Sequence, residues 1–130
     1  MIGKEELLKS IGVVRVVMGE SYFSKFNKGE VLVAPMTRPE YLPLMKKACA
    51  VITDEGGVTC HAAVISREIG ILYIVGTQKA TLKLKDGMDV KVNADLGTVS
   101  IISHLSILSI QNLVDNELSA DPDLLRFLQE

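Results

Sequence analysis

Ala50-Val51-Ile52-Thr53-Asp54-Glu55-Gly56-Gly57-Val58-Thr59-Cys60-His61-Ala62-Ala63-Val64-Ile65-Ser66-Arg67-Glu68-Ile69-Gly70-Ile71-Leu72-Tyr73-Ile74-Val75 reads as strand, glycine turn, helix and strand. Ala50–Thr53 is short and apolar throughout, as a strand covered on both faces must be. Asp54-Glu55-Gly56-Gly57 is a turn. A helix is predicted from about His61 to Ile69, ended by Gly70, which can take the left-handed conformation that closes a helix. Its Ala62, Ala63, Ile65 and Ile69 suit close packing on a sheet. Leu72–Val75 is the next buried strand. Upstream, Glu30–Pro35 is another near-continuous apolar run. Thr37 and Glu40 then form the pattern of a capping box, with Pro39 tolerated in the first turn. Tyr41, Leu44, Met45 and Ala48 follow at helical spacing and are read as core. The order strand, helix, strand, helix, strand with short connections predicts a parallel sheet.

Further outward the pattern changes. A short N-terminal helix is predicted from about Lys4 to Lys9, then a strand carrying Val13, Val14, Val16 and Val17 with Arg15 near an edge. Gly19 to Gly29 reads as a loop. After the parallel unit, Asp86-Gly87 is a turn, Asp89–Asn93 alternates as a strand, Asp95–Gly97 turns again, and Val99–Ile102 is a strand. These four make an antiparallel hairpin. The predicted fold class is therefore α/β, with a parallel central sheet and a smaller antiparallel sheet. Residues 1–103 form the domain. Residues 104–130 are predicted to be a helical C-terminal tail, with a restart at Asp121-Pro122 and an apolar stripe at Leu105, Leu108 and Leu113.

Composition narrows the function. Fourteen Lys and Arg against sixteen Asp and Glu give a net charge of −2, too little positive charge for a general nucleic-acid binder. Trp is absent and aromatics make up 5%, so a base-stacking platform is not expected. No apolar run is long enough to span a bilayer. The acidic start, Met1-Ile2-Gly3-Lys4-Glu5-Glu6, does not resemble a secretion signal. Two cysteines, Cys49 and Cys60, make no disulfide framework and suit a reducing compartment. The expected location is the cytoplasm. A zinc site from Cys49, Cys60, His61 and His104 matches no ligand spacing, so no metal is expected.

The chemistry gathers between Gly56 and Arg67. Two glycines before a helix let the chain turn sharply and let a ligand approach the amides. Thr59 offers a hydroxyl. His61 falls at the helix start, where free N–H groups and the helix dipole favour an anion. A neutral imidazole nitrogen is a competent nucleophile at pH 7. From these residues alone, phosphoryl transfer stands beside a purely structural histidine at a helix start. Cys60 is either a filler or a thiol made acidic by the helix start. Arg67, six residues after His61, is on another face of the helix; it either reaches a phosphate on a neighbouring domain or pairs with carbonyls at the helix end.

Gly57 to Arg67 resembles, position by position, the active-site signature of the phosphoenolpyruvate-utilising enzymes: Gly, any, Thr or Ser, any, His, two small residues, two aliphatics, a small residue, then Arg or Gly. Gly29–Val33, Met36–Pro39, Met45–Ala48, Val75–Thr77, Ala80-Thr81 and Leu84–Gly87 also look like the mobile domain of this family. The likeness is strongest to its phosphoenolpyruvate synthases (pyruvate, water dikinases) and runs from about Gly12 to Ile102. It implies a three-layer β/β/α swivelling phosphohistidine domain. It implies that His61 is phosphorylated from ATP and passes the group to an acceptor such as pyruvate. Thr59 is then its hydrogen-bonding neighbour, and Gly56, Gly57, Thr59, Cys60 and Arg67 surround the phosphate. Where the family has proline after Gly70-Ile71, this chain has Leu72 and then Tyr73.

The resemblance also implies what lies elsewhere. ATP and Mg²⁺ are expected on an ATP-grasp nucleotide-binding domain, and phosphoenolpyruvate or pyruvate on a barrel domain, in cis or in trans. No cofactor is expected on this domain. The chain, a piece of a longer enzyme or a separate subunit, is not expected to complete the reaction alone. Two other readings share the sequence: a non-catalytic regulatory or interaction module, and a carrier for another branch, such as pyruvate, phosphate dikinase or an antibiotic or phenol phosphotransferase.

Overall fold

A computed structural model describes residues 9–103 and the two-residue strand at 118–119. The elements in order are β1 (Lys9–Val16), β2 (Val31–Ala34), α1 (Leu42–Lys47), β3 (Ala50–Thr53), α2 (His61–Ile69), β4 (Leu72–Ile74), α3 (Ala80–Lys83), β5 (Asp89–Asn93), β6 (Thr98–Ser103) and β7 (Leu118–Ser119). Short 3-10 turns occupy Glu20–Lys25 and Pro39–Tyr41.

The strands form one continuous sheet in the order β4-β3-β2-β1-β5-β6-β7. The neighbours from β1 to β4 are parallel, and those from β1 through β5 and β6 to β7 are antiparallel. The two sheets expected from the sequence are thus both present, but they share β1. Its first part, Lys9–Val13, pairs with β5, and Val14–Val16 pairs with β2. Gly12 lies at this handover. A Cβ there would stand 2.7 Å from Cys49 Sγ and 3.2 Å from the Gly29 carbonyl oxygen, so only glycine lets the strands close.

The apolar run of β2 is explained by two cores. Val31 and Val33 point to one side, with Val14, Ile52, Ile74, Val90, Val92 and Val99. Leu32 and Ala34 point to the other, with Val51, Tyr41, Leu44, Met45, Ala62 and Ala63. Side chains alternate along a strand, so both faces of β2 need apolar cover. The antiparallel strands fold over one face, together with Ala80 of α3 and Leu84 after it, and α1 and α2 cover the other, which makes the β/β/α layering. The predicted helical stripe Tyr41, Leu44, Met45 and Ala48 is buried. Leu44 and Met45, removed from water, each contribute roughly 1.5–3 kcal/mol.

Three expectations need correction or limits. Thr37 does not cap a helix. The 3-10 turn at Pro39–Tyr41 starts from Arg38, which makes no side-chain cap hydrogen bond. The N-terminal helix lies outside the described residues except for Lys9, which belongs to β1. The tail after Ser103 lies outside them too, except Leu118–Ser119. Those two are strand rather than helix and pair with Val99 and Thr98. The short helix α3 was hidden in the sequence because its four residues are too few to show a period.

Candidate phosphohistidine site

The site forms at the carboxyl ends of β2 and β3, which are paired through Ala34 and Thr53. That end of a parallel sheet is where α/β folds place ligands, because the loops into the helices open there. Three loops are tied together. The Asp54 N–H donates to the Ala34 carbonyl at 3.2 Å and the Glu55 N–H to that of Pro35 at 3.0 Å. From the other side, the Gly76 N–H donates to the Glu55 carbonyl at 3.3 Å and the Thr77 N–H to that of Thr53 at 3.1 Å. The buried Thr53 hydroxyl donates to the Glu55 carbonyl at 2.6 Å and fixes the turn from inside.

Gly56 follows with a φ of 117°, a conformation that L side chains rarely take. A Cβ there would lie 2.6 Å from Cys60 Sγ. Gly57 has no such constraint: its φ is outside the left-handed range and a Cβ would meet nothing within 4 Å. The Cys60 N–H donates to the Gly57 carbonyl at 3.1 Å and closes a turn with Val58 and Thr59 at its corner. Cys60 is the N-cap of α2, its sulfur accepting from the Ala63 N–H at 3.4 Å. The first four N–H groups of a helix have no partner within it. The cap satisfies one of them, and the Val64 N–H is the first to bond within the helix, to the Cys60 carbonyl at 3.0 Å. Among the described residues the amides of His61 and Ala62 have no acceptor, an arrangement that can receive an anion.

His61 is the first residue of α2 and is half-buried. Its Nδ1 lies 2.8 Å from the Oγ1 of Thr37, which is 6% exposed. A buried hydroxyl on Nδ1 fixes the ring and directs chemistry to Nε2. When Nδ1–H donates to Thr37, Nε2 holds the lone pair. A cleft of about 240 Å³ opens beside the ring, lined by Thr37, Thr53, Glu55, Gly56, Cys60 and His61 among others.

The predicted residues divide. His61, Gly56 and Cys60 meet at the cleft. Gly57, Thr59 and Arg67 are outside its lining. Thr37, not Thr59, hydrogen-bonds the imidazole; Thr59 is exposed at the corner of the turn. Cys60 acts as the helix cap. Arg67 donates to the Val58 carbonyl at 2.8 Å and to the Tyr73 hydroxyl at 2.9 Å, so it pairs neither with the helix end nor with groups in the cleft. Thr37 was missed because a threonine three residues before a glutamate has a ready local explanation. Its partner lies 24 residues away.

Among the described residues no group of three or more His, Cys, Asp or Glu side chains could hold a metal ion. Both cysteines are free thiols. No described helix is long and apolar enough to cross a membrane.

Comparison with known proteins places the chain in a family. Residues 26–97 match the family model of the PEP-utilising enzyme mobile domain. The phosphoenolpyruvate synthase of Aeropyrum pernix is 52% identical over 89 residues, covering 68% of this chain and 11% of that protein. The phosphoenolpyruvate synthase of Pyrococcus furiosus is 46% identical over 103 residues, covering 73% of this chain and 13% of that protein. The chain therefore spans only a small part of the length of these relatives. A solution NMR structure of Enzyme I superposes with a TM-score of 0.50 at 27% identity, covering 68% of this chain and 36% of that one. A matching family model over more than half of the chain, on a β/β/α fold that sets a histidine at a helix start, makes this protein a member of the PEP-utilising enzyme mobile domain family.

Proposed function

We propose that this chain is the phosphoryl carrier of a phosphoenolpyruvate synthase-like phosphotransferase and that His61 carries the group. The observation that carries the reading is the 2.8 Å contact between Thr37 Oγ1 and His61 Nδ1 at the first residue of α2. In the forward step the Nε2 lone pair attacks phosphorus, an Nε2–P bond forms, and the donor's P–O bond breaks with its electrons leaving on oxygen. The ring becomes positive, and Nδ1–H donates to Thr37, which stabilises that charge. The His61 and Ala62 amides and the helix dipole favour the phosphoryl oxygens. In the return step an acceptor oxygen attacks the same phosphorus and Nε2 leaves as the neutral ring nitrogen.

The donor in this reading is ATP with Mg²⁺ on an ATP-grasp domain, and the acceptor is pyruvate on a barrel domain, both outside this chain. The relatives support it, since they are synthases several times longer. Two free thiols fit a reducing cytoplasm. The test is to incubate the protein with phosphate-labelled ATP, Mg²⁺ and a full-length synthase lacking its own carrier histidine. Acid-labile label on this chain, absent from His61→Ala, is expected. Equal labelling of His61→Ala, or none of the parent, sinks the reading and leaves a non-catalytic module.

A further inference from the structure

Arg67 binds two groups that the carrier reading leaves unused. One guanidinium nitrogen donates to the Val58 carbonyl at 2.8 Å, and another donates to the Tyr73 hydroxyl at 2.9 Å. The guanidinium carbon also lies 5.8 Å from the centre of the Tyr73 ring. Val58 is a corner of the turn closed by the Cys60 N–H on the Gly57 carbonyl, two residues before the N-cap of α2. Tyr73 is on β4, which pairs in parallel with β3. One side chain therefore fastens the turn that enters α2 to the last turn of the same helix and to the neighbouring strand.

We propose that Arg67 is a positioning residue for phosphoryl transfer at His61, acting through the Val58 peptide and held in place by Tyr73, and that it does not touch the phosphoryl group. The proposal rests on the carrier reading of His61. Two observations separate it from a phosphate-binding arginine. Arg67 is outside the lining of the His61 cleft, and its donors are directed to a carbonyl and a phenol.

The physical route is short. The peptide after Val58 is planar and trans, so fixing its carbonyl oxygen on Arg67 fixes the Thr59 N–H in the opposite direction. A cation on the oxygen also polarises that amide and makes the N–H a stronger donor. The turn in turn sets Cys60, whose backbone and sulfur cap α2, and so sets where His61 begins the helix. A lysine at position 67 keeps the charge but lacks the planar fork that reaches both partners. Tyr73→Phe keeps the ring and removes only the acceptor.

The test uses potassium phosphoramidate, a small chemical donor of phosphoryl groups to imidazoles, so no partner domain is needed. Phosphohistidine formation is followed by ³¹P NMR and intact mass for the parent, Arg67→Ala, Arg67→Lys and Tyr73→Phe, with His61→Ala as control. Thermal unfolding of each is recorded, and rates are read well below the unfolding range. The expected result is a rate about five- to tenfold lower in Arg67→Ala, the scale of one well-aligned hydrogen bond. Arg67→Lys is equally slow, Tyr73→Phe is slowed in part, and combining Tyr73→Phe with Arg67→Ala adds nothing. Full rescue by Arg67→Lys with no effect of Tyr73→Phe overturns the proposal in favour of bare charge. Unchanged rates in all variants, with lowered unfolding temperatures, overturn it in favour of a fold-only brace. A parent chain that takes no label at His61 fails the carrier reading itself, and the proposal with it; a labelled parent with unaffected variants fails the proposal alone.

Discussion

Strand β2 has a polar cluster beyond each end, and the two are built on opposite plans. Before its start, Glu30 is 8% exposed and its carboxylate is fully engaged. Arg15 donates to both of its carboxylate oxygens, at 3.2 and 2.8 Å, and the Asn27 N–H adds a third bond at 2.7 Å. Asp86 stands 3.7 Å from the same guanidinium and accepts from the Val16 N–H at 2.6 Å. Beyond the other end, Thr37 makes one bond to His61 through Nδ1, and the second ring nitrogen has no hydrogen-bond partner among the described residues. The first cluster spends its hydrogen-bonding capacity on the fold. The second holds some in reserve, as the proposed carrier role requires.

The largest expected effect breaks the closed cluster. Arg15→Met leaves the Glu30 carboxylate buried without its cation, and unfolding free energy is expected to fall by about 2–4 kcal/mol in urea denaturation. Transfer to His61 per folded molecule should not change. The pH dependence has a definite sign. Burial pushes the Glu30 carboxyl up, but the hydrogen bond from Arg15 and those from Asn27 outweigh it and hold it below the ordinary value. A depressed carboxylate stabilises the fold above its unfolded-state pKa, near about 4.3, and that stability is lost as pH falls through the lower folded value. Denaturation followed from pH 6 downward should show a smaller acid-dependent loss in Arg15→Met than in the parent; identical profiles would mean that the pair adds nothing.

Next comes the open cluster. Thr37→Val removes the hydroxyl from Nδ1 at nearly constant volume. Phosphorylation of His61 is expected to slow about tenfold, the loss of one hydrogen bond to a ring that gains charge. Thr37→Ser should restore most of the rate. Unfolding should shift by less than about 1 kcal/mol, because the half-buried ring can turn to water. A large loss of stability with an unchanged rate would place Thr37 with Glu30 rather than opposite it.

A smaller effect separates the two glycines. Gly56→Ala puts a side chain in a left-handed conformation and against Cys60, with an expected loss of about 1–3 kcal/mol. Gly57→Ala meets open space and should stay within about 0.5 kcal/mol of the parent. A slower transfer in folded Gly57→Ala would then report on how closely the donor approaches that backbone.

The sequence carried the parallel unit well because it is written in long-range-independent signals. Apolar runs of strand length, a helical stripe at Tyr41, Leu44, Met45 and Ala48, and a glycine at position 70 each act locally. The position of His61 at the start of α2 was legible for the same reason. What could not be read is what depends on through-space pairing. The bond from Thr37 to His61, the grip of Arg67 on Val58 and Tyr73, and the sharing of β1 by both halves of the sheet join residues that no local pattern links. The Arg67 case is instructive. Its spacing from His61 placed it off that residue's face of the helix, but only the folded structure shows that it turns back to the entry of its own helix.

Ser66 gives the smallest effect and the sharpest boundary between the two plans. It is fully buried on α2, and its hydroxyl has no hydrogen-bond partner among the described residues. Its carbonyl is occupied, accepting from the N–H groups of Gly70 at 2.9 Å and Ile71 at 3.0 Å, which close the helix. A buried hydroxyl without a partner costs free energy, and alanine fills nearly the same space with a better helix propensity. Ser66→Ala should therefore raise stability by up to about 1 kcal/mol and leave phosphorylation of His61 unchanged. Melting temperature and transfer rate measured on one preparation decide it. A variant that is less stable reveals a hydroxyl that the fold uses, as it uses Glu30. A variant that is equally stable but slower reveals an unsatisfied group kept for the chemistry of α2, which would extend the open cluster from the first turn of the helix into its middle.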